Sequence, residues 1–93
     1  MSNLTYNCED IKQKILEGWH LIDVREPFEF NAGHVKGAKN VPLANLDLLE
    51  EGNNYLLYCR SGGRSGAAEN YLKKKNIQAL NIGGLDRFLG CLE

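Results

Sequence analysis

Cys59-Arg60-Ser61-Gly62-Gly63-Arg64-Ser65 is the stretch that decides the fold, because it joins an apolar run to an amphipathic one. Upstream, Asn54-Tyr55-Leu56-Leu57-Tyr58 reads as a short strand buried on both faces, as in a parallel sheet. Downstream, Ala67, Ala68, Tyr71 and Leu72 recur at helical spacing. Lys73, Lys74 and Lys75 stand where a helix C-terminus favours cations, and Asn76 can end the helix. Cys59 therefore lies at the carboxyl end of a strand, the edge where open α/β sheets bind ligands. A loop with two glycines can turn its backbone N–H groups inward as a nest that runs into the first turn of the next helix. Such a nest, with Arg60 and Arg64 beside it, favours thiolate over thiol at Cys59 and attracts anionic substrates. The stretch has neither the phosphate-loop nor the dinucleotide-loop spacing, and Gly63-Arg64-Ser65-Gly66-Ala67 lacks the final glycine of a serine nucleophile elbow.

Working outward, the 93 residues are expected to form one domain, 1–93, with a single core. Acidic and basic residues are interspersed at a formal net charge of −1, which provides no footprint for nucleic acid or an anionic membrane. No run is long and apolar enough to span a bilayer, and the N-terminus lacks a basic region followed by an apolar core. Three widely separated cysteines argue against a disulfide framework and predict free thiols in a reducing compartment, so a cytoplasmic location is expected. A zinc site built from Cys8, Cys59, Cys91, His20 and His34 would lack any paired ligand spacing, and no metal is expected.

Along the chain, Leu4-Thr5-Tyr6 reads as an edge strand, and Asn7 caps a helix that Gly18 ends. On that helix Cys8 shares a face with Ile11 and Ile15 and is expected to pack as a small hydrophobe. Residues 19–24 read as a strand, Pro27 opens a helical turn, Val41 lies in a short strand stopped by Pro42, and residues 43–50 read as helical. A strand over 79–82, the turn Gly83-Gly84 and a last helix carrying Leu85, Phe88, Leu89 and Leu92 complete the chain. Strands alternating with helices imply crossover connections and a mainly parallel sheet.

The chain resembles the single-domain rhodanese-like sulfurtransferases over nearly its whole length. The resemblance rests on the Cys59 loop, on residues 21–30 (LIDVREPFEF) with 33–42 (GHVKGAKNVP), and on Gly83-Gly84 followed by Phe88, where many members have tryptophan. It implies a three-layer α/β fold, with a mainly parallel five-stranded sheet flanked by helices on both faces. It implies a catalytic Cys59 that takes a sulfane sulfur from thiosulfate or a persulfide donor. The resulting persulfide passes its sulfur to cyanide or a thiol, including that of a sulfur-relay protein, without metal or organic cofactor. Arg60, Ser61, Gly62, Gly63, Arg64 and Ser65 would bind substrate, their N–H groups stabilising the persulfide anion. Related phosphatases and arsenate reductases use C-x₅-R, whereas this chain has C-x₄-R, so the pocket should suit a terminal sulfur.

Asp23, Arg25 and His34 are expected to support the loop. Arg64 either meets substrate or folds back onto a carboxylate such as Asp23 or Glu29, and the second role is favoured. Asp23 either touches the loop, caps the helical turn that Pro27 opens or pairs with Arg25. His34 is expected to fix a loop by hydrogen bonding, since sulfur transfer to a preformed thiolate demands no general base. Arg60 is expected to face solvent and meet the anionic end of the donor. Cys91 is a candidate resolving thiol for Cys59. The alternative reading is a sulfur carrier or protein-docking module with little turnover of free thiosulfate.

Overall fold

The structure, a computed structural model, describes residues 6–93. It contains α1 (Cys8–Leu16), β1 (His20–Asp23), α2 (Pro27–Asn31), β2 (Lys39–Asn40), β3 (Asn54–Cys59), α3 (Gly63–Lys74) and β4 (Gln78–Gly84). Two 3₁₀ segments, Leu43–Leu48 and Leu85–Cys91, stand where helices are expected from the sequence. In each, one residue leaves helical geometry, Asn45 at φ −114° and Phe88 at φ −125°. The bend at Phe88 coincides with complete burial of its ring, which packs edge-on against Tyr58 at 6.2 Å. Burying an aromatic ring outweighs the small helical preference of so short a segment.

All the sheet pairings are parallel and run in the order β2-β1-β3-β4. The described residues thus hold four strands and not five. The expected edge strand falls largely on Leu4 and Thr5, outside the described residues, and Tyr6 belongs to no strand. β3 is central, and its alternation divides the interior. Tyr55, Leu57 and Cys59 join Leu72, Ala68 and Leu46 on one face, while Leu56 and Tyr58 join Ile11, Val35 and Phe88 on the other. This is the layered α/β arrangement with a parallel sheet covered by helices that the sequence resemblance implies.

Local signals account for the ends of α1 and α3. Asn7 caps α1 through a reciprocal pair, its Oδ1 accepting from Asp10 N at 2.9 Å while its own N donates to Asp10 Oδ2 at 3.0 Å. α3 ends in a Schellman turn: Asn76 takes φ +63°, and Ile77 N reaches back to Leu72 O at 3.0 Å. With α3 stopped there, β4 returns alongside β3 and brings Asn81, Gly83 and Gly84 to the loop that follows Cys59.

Candidate active site

The carboxyl end of β3 delivers Cys59 to the start of α3, and the helix begins without a side-chain cap. Gly62 occupies the N-cap at φ +97°, in the left-handed region that suits glycine. The Cys59 sulfur supplies the acceptor instead. Sγ lies 3.0 Å from Gly62 N, 3.4 Å from Ser65 N and 3.4 Å from Ser65 Oγ. Ser65 N is the third amide of the helix, one of the donors that a helix start leaves unpaired, so negative charge on sulfur answers a need of the fold. Burial pushes the Cys59 thiol up, but the Ser65 hydroxyl and the amides of Ser65, Gly62 and Ser61 outweigh it and hold the thiol below its ordinary value.

One hydroxyl proton cannot serve two acceptors. Ser65 Oγ lies 2.7 Å from Asn81 Oδ1, closer than to Sγ. Asn81 is fixed in orientation, because Oδ1 also accepts from Gly83 N at 2.9 Å and Nδ2 donates to Gly62 O at 3.2 Å. With a thiol at Cys59, the hydroxyl therefore serves Asn81 and can accept the S–H. With a thiolate, it can turn to the sulfur.

The backbone of the loop is held against β4 by a glycine. A Cβ on Gly84 would strike the Arg60 carbonyl oxygen and lie 2.9 Å from Ser61 Cα, nearer than real side chains come. Leu85 N donates to the same Arg60 carbonyl at 3.2 Å. Arg60, Ser61 and Gly63 are exposed, whereas Cys59 and Ser65 each have 0% exposure. The loop thus covers the sulfur it polarises.

The hydrogen bonds of the Arg64 guanidinium go to a carboxylate and not to the sulfur. Its Nη1 and Nη2 meet Glu29 Oε1 and Oε2 at 2.7 and 3.0 Å, joining α3 to α2 by a two-pronged ion pair. Arg64, together with the Glu26 amide that donates to Oε1 at 3.0 Å, holds the Glu29 carboxyl down to about 2. Of the two carboxylates weighed for Arg64, Glu29 is its partner.

Asp23 is fully buried and belongs to Arg25, which donates to it from Nε and Nη2 at 2.8–3.0 Å and from its own amide at 2.9 Å. Nη2 of Arg25 also reaches Gly33 O at 2.6 Å, so this buried pair ties the end of β1 to the chain beyond α2. His34 stacks on Phe30 with ring centroids 3.7 Å apart, Nδ1 facing Phe30 O at 2.9 Å and Nε2 facing Glu93 at 3.2 Å. A carbonyl only accepts, so Nδ1 carries a proton. Both residues hold the α2 region, and through Glu29 that region holds the loop.

Two cysteine expectations are corrected. Cys8 and Cys91 form a disulfide, with Cα atoms 5.9 Å apart, where free thiols are expected from their number and spacing. The fold brings the start of α1 onto the C-terminal segment, a long-range contact that no local spacing encodes. Paired in this way, Cys8 and Cys91 do not speak for a reducing compartment. Nor does Cys91 resolve Cys59: Cys8 and Cys91 pack with the cluster on the opposite face of the sheet, and Cys59 is the free cysteine. Among the described residues no group of three or more His, Cys, Asp and Glu is placed to hold a metal ion. No helix there is long and apolar enough to cross a membrane.

A cysteine held by loop amides at the carboxyl edge of a parallel sheet agrees with the family that the sequence matches. The family described as "Rhodanese-like domain" matches residues 7–90, and the chain belongs to that family. It is 45% identical over 58 residues to "Uncharacterized protein YqhL" of Bacillus subtilis, covering 58% of this chain and 46% of that protein, so the match spans less than half of that relative. It is 33% identical over 73 residues to "Thiosulfate sulfurtransferase PspE" of Escherichia coli, covering 71% of this chain and 70% of that one. Among solved structures it is similar to "rhodanese with anions from E. coli" at a TM-score of 0.71 and 29% identity, covering 81% of this chain and 96% of the other.

Proposed function

We propose that this protein is a sulfurtransferase of the thiosulfate type, with Cys59 as nucleophile and carrier of the transferred sulfur. The observation that carries the reading is the placement of Cys59 Sγ against Gly62 N and the Ser65 amide and hydroxyl. A sulfur so placed is stabilised as an anion, and the thiolate is the attacking form. The names of the E. coli relative and of the anion-bound neighbour support the same chemistry.

In the first half-reaction the Cys59 thiolate attacks the outer sulfur of thiosulfate. The bond between the two sulfurs of the donor breaks, and its electron pair leaves on sulfite. The negative charge moves to the terminal sulfur of a Cys59 persulfide, where backbone amides of the same loop would stabilise it. In the second, cyanide or a thiolate attacks that terminal sulfur and leaves as thiocyanate or a persulfide, returning Cys59 as thiolate. No proton need be abstracted by His34. Arg60, exposed beside the loop, binds the sulfonate end of the donor, and residues 60–64 must part for it to reach the buried sulfur. Arg64 is engaged by Glu29, and Ser65 stands where a C-x₅-R phosphatase would carry its arginine.

Initial rates in thiosulfate and cyanide test the proposal. Parallel double-reciprocal lines, abolished in Cys59→Ser, are expected. Intersecting lines, or turnover that persists without Cys59, would exclude it. Loading from a protein persulfide with negligible turnover of free thiosulfate would favour the carrier alternative.

A further inference from the structure

The Cys8–Cys91 bond has a setting of its own, remote from Cys59. It joins the first residue of α1 to the last residue of the 3₁₀ segment after β4, 83 positions away. Both half-cystines are partly exposed, and both line a groove of about 570 Å³. That volume lies within the range that holds small molecules. Ile11 and Val35 help form the apolar wall, while Lys12 and Lys36 place two ammonium groups among its lining against the single carboxylate of Glu9. A small anionic thiol would find in this groove both charge complementarity and a disulfide sulfur to attack.

The surroundings also suit the reduced form. Cys91 Sγ lies 3.4 Å from Phe88 O, an acceptor that a disulfide sulfur cannot use and a thiol can. Cys8 stands in the first turn of α1, where amides without helical partners favour a negatively charged leaving group. The bond clasps α1 to a C-terminal segment that is also held by Lys36 N to Cys91 O and Glu93 N to His34 O, each 2.8 Å, by His34 Nε2 to Glu93 at 3.2 Å and by the buried Phe88 ring.

We propose that Cys8–Cys91 is a second sulfur-exchange site, a clasp opened by anionic low-molecular-weight thiols that enter this groove. A thiolate RS⁻ attacks Cys91 Sγ, the bond between Cys91 and Cys8 breaks, and its electron pair leaves on Cys8. A second RS⁻ attacks the mixed disulfide at the sulfur of R and releases RSSR and the Cys91 thiolate. The protons brought by the two RSH molecules end on Cys8 and Cys91. Two RSH are oxidised to RSSR as one protein disulfide is reduced to two thiols.

The test uses the full air-oxidised chain in non-denaturing buffer, treated with reduced glutathione or with neutral 2-mercaptoethanol at matched thiolate concentration. Samples are then alkylated with N-ethylmaleimide and mapped by peptide. Label on Cys8 and Cys91 is expected only after thiol treatment, appearing several-fold faster with glutathione, and Lys12→Gln with Lys36→Gln should erase that advantage. Label on both residues before any thiol, exchange only after denaturation, or equal rates for the two reagents would overturn the proposal.

Discussion

Ser65 and Asn81 share a hydrogen bond of 2.7 Å that governs what Cys59 can draw from its helix. Ser65 offers two donors to the sulfur, an amide fixed by α3 and a hydroxyl that Asn81 competes for. Ser65→Ala removes the hydroxyl and leaves the amide. The pH midpoint for alkylation of Cys59 by iodoacetamide, expected below the ordinary thiol value in the parent, should rise in the variant. An unmoved midpoint would assign the stabilisation to the amides alone.

Glu29 and Arg64 set an acid limit on the loop. The carboxyl of Glu29 is held at about 2 in the folded chain against an ordinary 4.5, so its contribution is complete above 4.5 and is lost as pH falls toward 2. Arg64 is about one-third exposed, so solvent screening discounts the worth of the pair to about 1–2 kcal/mol. Glu29→Gln should therefore melt below the parent at pH 7, and the two curves should converge through that acid window. A constant gap at every pH would show that the loss is not electrostatic.

Three glycines of the site should respond differently to alanine. Gly84→Ala forces a methyl into the backbone of Arg60 and Ser61, so it should displace the loop and reduce turnover strongly. Gly62→Ala has room, its nearest atom being 3.6 Å away, but pays the left-handed conformation at φ +97°, about 1–2 kcal/mol. Gly63 opens α3 with nothing within 4 Å, so Gly63→Ala should be neutral or stabilising. Melting temperatures and kcat for the three variants check this order.

Arg60→Ala should raise KM for thiosulfate while changing kcat less, because Arg60 is an exposed residue next to Cys59 in the loop and its carbonyl, already bonded to Leu85 N, keeps the backbone in place. Equal loss in kcat and kcat/KM would instead give it a role confined to the transition state.

The strand, loop and helix around Cys59 are legible in the sequence because their signals are local. An apolar run stops at Cys59, two glycines permit the turn, and Asn76 ends α3 by a conformation it tolerates well. The choice of Glu29 for Arg64 is half legible, since charge names the candidates but only folding brings α2 beside α3. Asn81 is missed altogether: a polar residue in β4 has no pattern to distinguish it, and its importance arises from meeting Gly62 and Ser65 across the strand end. Gly84 reads as a turn residue, yet it serves by close approach to a chain segment more than twenty positions away. Cys8 and Cys91 are illegible for the same reason, their pairing being a property of packed chain ends.

The central claim is that Cys59 carries the sulfur, and intact-protein mass measurement after incubation with thiosulfate tests it most directly. One added sulfur atom is expected on the parent chain, lost on addition of cyanide and absent from Cys59→Ser. A parent chain that gains no sulfur from thiosulfate or from a persulfide donor, or a Cys59→Ser chain that gains it equally, would show that Cys59 does not carry the sulfur.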